Sequence, residues 1–224
     1  MRSIVSRSRP SEKFGTDSSG SSTRVLYEPV KAYYDARAPE YDDWWHGTGL
    51  FVERDRPGWE AEVERLGQVV ASLPAARTLD VACGTGFLTR YLRGEVVGLD
   101  QSTSMLDEAR RQAPGAELVL GDALDLPFPD GSFDRVFTGH FYGHLDAIDR
   151  DRFLAEAQRV APELVVVDSA LREDNVAEEI QTRVLSNGSR WTVLKRCFTP
   201  EALLAELGGG ETLHAGRWFV AVRA

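Results

Sequence analysis

Only two cysteines stand in the 224 residues, Cys83 and Cys197. They lie far apart, and Cys83 falls inside a glycine loop that a disulfide would distort. Free thiols in a reducing cytosol are therefore expected. Basic residues are also scarce: 26 Lys and Arg against 35 Asp and Glu leave a formal net charge of −9. That argues against non-specific affinity for nucleic acid, since phosphate binding rests on Lys and Arg, and no DNA partner is expected. A small basic groove stays compatible with this balance. No apolar run reaches the ~20 residues needed to span a bilayer. The opening M-R-S-I-V-S-R-S-R-P is basic but has no apolar stretch behind it, so neither a signal peptide nor a membrane partner is expected. The expectation is a cytoplasmic protein. No internal repeat is visible, and oligomeric state is left open.

A third glycine is missing from the most informative segment. L-D-V-A-C-G-T-G, Leu79 to Gly86, is an apolar run that ends in an acid and opens into a glycine loop. Gly84 and Gly86 would begin a dinucleotide fingerprint, but Thr89 stands where its last glycine belongs. Asp80, just before the loop, further disfavours a phosphate. Two more strand ends follow, V-V-G-L-D (Val96 to Asp100) and L-V-L-G-D-A (Leu118 to Ala123). Asp80, Asp100 and Asp122 would then converge at the carboxyl edge of a parallel sheet, where open α/β folds bind ligands. Taken singly, each glycine or acid is adequately explained as a turn or helix cap. In this order they suit a cofactor with a ribose, an adenine and a cationic centre but no phosphate, which describes S-adenosylmethionine.

The segments D-V-A-C-G-T-G, V-V-G-L-D-Q-S-T-S-M-L and G-D-A-L-D-L-P-F-P-D-G-S-F-D resemble those of class I S-adenosylmethionine-dependent methyltransferases of the small-molecule type. The phrase L-P-F-P-D-G-S-F-D, Leu126 to Asp134, is the most specific. The likeness runs from about Tyr27 to the C-terminus. It implies a Rossmann-like three-layer α/β sandwich with a seven-stranded, mostly parallel sheet ending in an antiparallel hairpin. It implies ribose binding by Asp100, adenine contacts from Gln101, Met105, Asp122 and Ala123, and methionine contacts from Ala82, Gly84 and Gly86, beside Asp80. The segment Y-Y-D-A-R-A-P-E-Y-D-D-W-W would fold over the pocket as a cap spanning 27–57. Tyr34 and Tyr41 either touch the methionine end or only dock aromatics onto the core. For Arg37 docking is the stronger reading.

Residues 1–23, rich in Ser, Gly and Arg, read as a disordered tail before a methyltransferase domain over 24–224. Trp59, Val63, Leu66 and Val70 mark a helix face. Strands are expected over 77–82, 95–99, 117–120, 134–138 and 163–168. Helices are expected over 87–93, from a Ser102 cap to Arg111, and around Phe153 to Val160. Val176, Ala177, Ile180 and Val184 fit a helix, Asn187-Gly188 a turn, and 191–198 a strand. Thr199-Pro200 opens another helix, and two strands close the chain. The stretch from about 170 to 198 would cover the substrate.

Methyl transfer from an activated sulfonium needs positioning and, for some acceptors, removal of a proton. The expected catalytic loop is F-T-G-H-F-Y-G-H-L, Phe137 to Leu145. His140 is the favoured base and Tyr142 a hydrogen-bond partner, with simple packing a close competitor for His140 and a strong one for His144. No metal is expected, because Gly143 disfavours a helix bearing both histidines and no third ligand lies nearby. The N-P-P-Y signature of base methylation is absent. Lys195, Arg196 and Arg190 read as a solvated face. The leading function is methylation of a small molecule. The alternatives are a non-catalytic cofactor-binding regulator or scaffold, methylation of a protein or RNA, and, last, a nicotinamide-dependent dehydrogenase.

Overall fold

The computed structural model describes residues 27–224; the expected tail over 1–23 lies outside them. Seven strands form the central sheet: β1 (Ala76–Val81), β2 (Gly94–Asp100), β3 (Glu117–Leu120), β4 (Arg135–Gly139), β5 (Glu163–Ser169), β8 (Glu211–Ala215) and β9 (Phe219–Arg223). Their order is β3-β2-β1-β4-β5-β9-β8. The first five are parallel, and β9 runs antiparallel to both β5 and β8. This is the expected sheet with its C-terminal hairpin.

Alternation along each strand builds two cores. Val136, Leu164, Val166, Val220 and Val222 face one way, against α5 (Ala147–Val160) and α6 (Pro200–Leu207). Phe137, Val165, Val167, Phe219 and Ala221 face the other, against Leu66 and Val70 of α3 (Trp59–Ser72). The caps are those the sequence announces. Ser102 accepts from the Met105 amide at the start of α4 (Thr103–Gln112), and Thr199 from Ala202 at the start of α6.

Two expected helices are not formed. Residues 87–93 hold only a 3-10 turn, Thr89–Tyr91. The chain has few residues between the Gly86 turn and the return at Gly94. There, backbone of Ala76 passes so close that a Cβ would lie 2.3 Å from its carbonyl oxygen. The second lies within Glu178–Val184, which is a strand, β6, paired antiparallel with β7 (Arg190–Arg196) in a separate two-stranded sheet. Its apolar residues fit both periods, and Ile180, Thr182 and Val184 are β-branched at every second position, which favours a strand. The Asn187-Gly188 turn closes this hairpin, and a parallel bridge from Ala170 to Phe198 ties its base to the main sheet.

The N-terminal segment forms α1 (Tyr27–Arg37), a 3-10 turn Ala38–Glu40, α2 (Asp43–His46) and a second 3-10 turn Gly49–Phe51. It lies over the carboxyl edge of β1 and β2. Asp42 accepts from the Thr85 hydroxyl at 2.7 Å and from Gln112, and Asp35 accepts from Ser102 Oγ at 2.5 Å. The cap is thus held to the glycine loop and to α4 by carboxylates.

Candidate active site

The glycine loop begins where β1 ends. Ala82, Gly84 and Gly86 all take positive φ, at 56°, 57° and 79°. For Ala82 that conformation is strained, and such strain gathers at functional sites. A Cβ on Gly84 would meet nothing within 4 Å. The loop therefore exposes backbone into open space. Below it lies Asp80, fully inside, accepting from the Thr89 hydroxyl at 2.6 Å. Thr89, the residue that breaks the dinucleotide pattern, thus holds the first strand-end acid. Burial pushes Asp80 up to about 7.

Asp100 ends β2 beside this loop. One carboxylate oxygen accepts from the Gly84 amide at 2.9 Å and the other from Ser102 at 2.8 Å. Burial raises it to about 6 despite those two bonds. Gln101 and Met105 follow it, half-buried and buried respectively. Asp122 and Ala123 lie beyond the neighbouring β3; Asp122 accepts from the Leu124 amide at 2.9 Å. A small cavity opens between Asp80, Ala82, Gly84, Phe137, Trp45 and Tyr41. Trp45 Nε1, a buried donor, has no acceptor there.

A second cavity of about 760 Å³ adjoins it, and Tyr41 lines both. Its walls include Tyr34, Trp44, His140 and His144, with the inner face of β6 as cover. Tyr34 is thus placed in the larger cavity rather than the smaller. His140 follows β4 with φ 57° and is buried. Its ring meets Trp44, Trp45 and Phe219 at 4.9, 5.1 and 5.5 Å between centroids. Nδ1 lies 3.8 Å from Asp168, and Nε2 has no partner. Burial drives His140 down to about 3, against the pull of Asp168, so the ring is neutral at physiological pH. His144 Nδ1 donates to the Leu194 carbonyl at 2.5 Å, which places its lone pair on Nε2. Burial and Lys195 lower His144 as well.

Tyr142 does not reach either cavity. Its hydroxyl bonds Glu206 at 3.2 Å, and its ring packs on Phe153 and Phe198 in the opposite core. Nor is the basic pair at 195–196 a solvated face. Lys195 is buried and donates to Asp168 at 2.7 Å, while Arg196 pairs with Glu206 at 2.6 Å. Asp168 also accepts from the Gly143 and Ser169 amides, each at 2.7 Å. Burial would raise this carboxyl, but Lys195 and His140 hold it below the usual range. Arg54, Arg56, Arg172 and Arg183 line the larger cavity as well. The sequence reading missed them because two loops and β6 bring them together from separate stretches of chain.

A family profile described as "Methyltransferase domain" matches residues 79–163. The sheet order and the three strand-end acids accord with that likeness, which is to S-adenosylmethionine-dependent methyltransferases. It is similar to a demethylmenaquinone methyltransferase of Symbiobacterium thermophilum, 41% identical over 61% of this chain and 53% of that one. A 2-phytyl-1,4-naphtoquinone methyltransferase of Synechococcus elongatus is 40% identical over 59% of each. The chain spans about half the length of the curated relatives it matches. Among solved structures, DhpI in a complex with SAM and HEP superposes with a TM-score of 0.68 at 27% identity, over 91% of this chain and all of that one.

Proposed function

We propose that this protein transfers the methyl group of S-adenosylmethionine to a small molecule held in the 760 Å³ cavity. The observation that carries the reading is the junction: Tyr41 lines both the cavity at the glycine loop and the larger one beside His140. Of the expected cofactor residues, Tyr41, Asp80, Ala82 and Gly84 line the cavity at the glycine loop and support the cofactor reading, whereas Asp100, Gln101, Met105, Asp122 and Ala123 lie outside its lining. The Gly84 backbone faces open space, the Asp100 carboxylate stands at the strand end, and the Trp45 indole is an unspent donor. Asp100 would take the ribose, Gln101, Met105, Asp122 and Ala123 would frame the adenine, and Asp80 with the loop from Ala82 to Gly86 would hold the methionine end. When bound, the cofactor supplies an electrophilic methyl group.

The chain's own residues orient the acceptor and exclude water. Aromatic walls of Trp44, Trp45 and Tyr41 line the two cavities, and displacement would gain chiefly from proximity. His140 is a neutral hydrogen-bond partner for the acceptor. A base titrating near 3 is too weak to take a proton from a neutral hydroxyl efficiently, so the site suits a nucleophile that is already ionised or readily so.

Calorimetry with S-adenosylhomocysteine and with NADH tests the cofactor assignment: the first binds and the second does not. Incubation with labelled S-adenosylmethionine and a metabolite extract tests the acceptor class. The non-catalytic reading predicts cofactor binding without any labelled product.

A further inference from the structure

The larger cavity is cationic in a chain whose formal net charge is −9. Arg37, Arg54, Arg56 and Arg183 all line it, and among the described residues none has a carboxylate within salt-bridge distance. Each is held in place by neutral groups instead. Arg56 donates to the Trp44 carbonyl at 2.9 Å and stacks over Trp59, 3.9 Å from the ring centre. Arg183 donates to Gln181, and Arg54 lies over Phe51. Arg37 is buried, donates to the Tyr33 hydroxyl and stacks on Tyr41. The two carboxylates in the wall are spent elsewhere: Glu40 accepts from the Ser186 amide and Glu179 from Gln181.

This arrangement carries a cost. Partial burial, together with Arg183 and Arg37, lowers Arg54 although its side chain is exposed to solvent, so the guanidinium groups repel one another across the cavity. Aromatic faces and carbonyls fix their orientation but do not neutralise them. An anion would do so, because guanidinium groups offer paired N–H donors matched to the oxygens of a carboxylate or a phosphate-type group.

We propose that the acceptor carries an oxyanionic group, of carboxylate or phosphate type, held by Arg54, Arg56 and Arg183 with Arg37 behind them. The inference rests on the methyl-transfer reading of the cavity and narrows it. It separates this chain from the relatives named for naphthoquinones, since a neutral apolar ring would leave four guanidinium groups unpaired.

The test is titration of the full chain, loaded with S-adenosylhomocysteine, with inorganic phosphate, benzoate and neutral benzamide. Saturable binding of phosphate, benzoate or both is expected, with benzamide at least tenfold weaker. The pattern between the two anions identifies the oxyanion type. The double variant Arg54→Gln, Arg183→Gln should weaken the anion by about tenfold or more. Its affinity for S-adenosylhomocysteine should persist, which also shows that it is folded. Absence of saturable anion binding, benzamide binding as tightly as benzoate, or an unaffected double variant would overturn the proposal. Failure of the wild type to take up S-adenosylhomocysteine would instead remove the methyltransferase reading, and the same titrations on the free protein would still decide the charge claim.

Discussion

On the proposed function, Asp100 is the residue on which cofactor recognition would turn. Its two oxygens already organise the glycine loop and the α4 cap, and the ionised form is the one that accepts ribose hydroxyls. Burial raises it to about 6, so the fraction ionised grows as pH climbs through that value. Affinity for S-adenosylhomocysteine should therefore rise between pH 5 and pH 7 and level off above. Calorimetry across that range checks it, and a flat or falling profile would contradict the assignment. Asp100→Ala should cost roughly ten- to hundredfold in the same measurement, the loss of a charge-assisted contact. His140 gives the opposite signature. Held near 3 by burial, it stays neutral over the working range. The pH profile of single-turnover methylation should show no limb near the usual histidine value of about 6.5. A limb there would restore His140 as a base. The sequence placed His140 at the end of β4, but it could not show that the ring is enclosed by three aromatic groups from distant segments.

Elements, rather than single residues, make the larger cavity. β7 reaches back to β5 through Lys195 and Asp168, both buried. Removing one partner of a buried ion pair leaves the other charge stranded. Lys195→Met should therefore lower unfolding stability by about 3–5 kcal/mol, measured by denaturant titration; a change below 1 kcal/mol would show that the pair is dispensable. The cap is tied down by Asp35 and Asp42. Asp42→Ala should speed hydrogen exchange over residues 30–46 of the free protein, and S-adenosylhomocysteine should restore protection. Unchanged exchange would make those contacts incidental. The five parallel strands were legible because each is a short, largely apolar run with an acid or a glycine at or near its end. β6 was not, since Ile180 and Val184 satisfy helix spacing and strand spacing alike, and pairing with β7 settles what the β-branched alternation favours. The turn at Asn187-Gly188 is legible in the sequence, but a turn alone does not say what precedes it.

At the scale of the whole molecule, one sheet supports two cavities, to which the proposed function gives different duties. The carboxyl edge of β1, β2 and β3 supplies acids and bare backbone, suited to a cofactor with hydroxyls and a cationic centre. Over the edge of β4 and β5, the cap and the β6–β7 hairpin supply aromatic walls and arginines. The cofactor half was readable from sequence because its residues are contiguous with strand ends. The acceptor half was not, because Arg37, Arg54 and Arg183 meet only after the cap and the hairpin fold over the sheet. Among the described residues, no helix is long and apolar enough to cross a membrane. The most direct measurement is transfer of label from methyl-labelled S-adenosylmethionine in the presence of a metabolite extract. Label appearing in a low-molecular-mass, anionic-acceptor fraction, and lost in Asp100→Ala, is the predicted result. Label confined to protein or RNA, or no transfer by a protein that binds the cofactor, would contradict it.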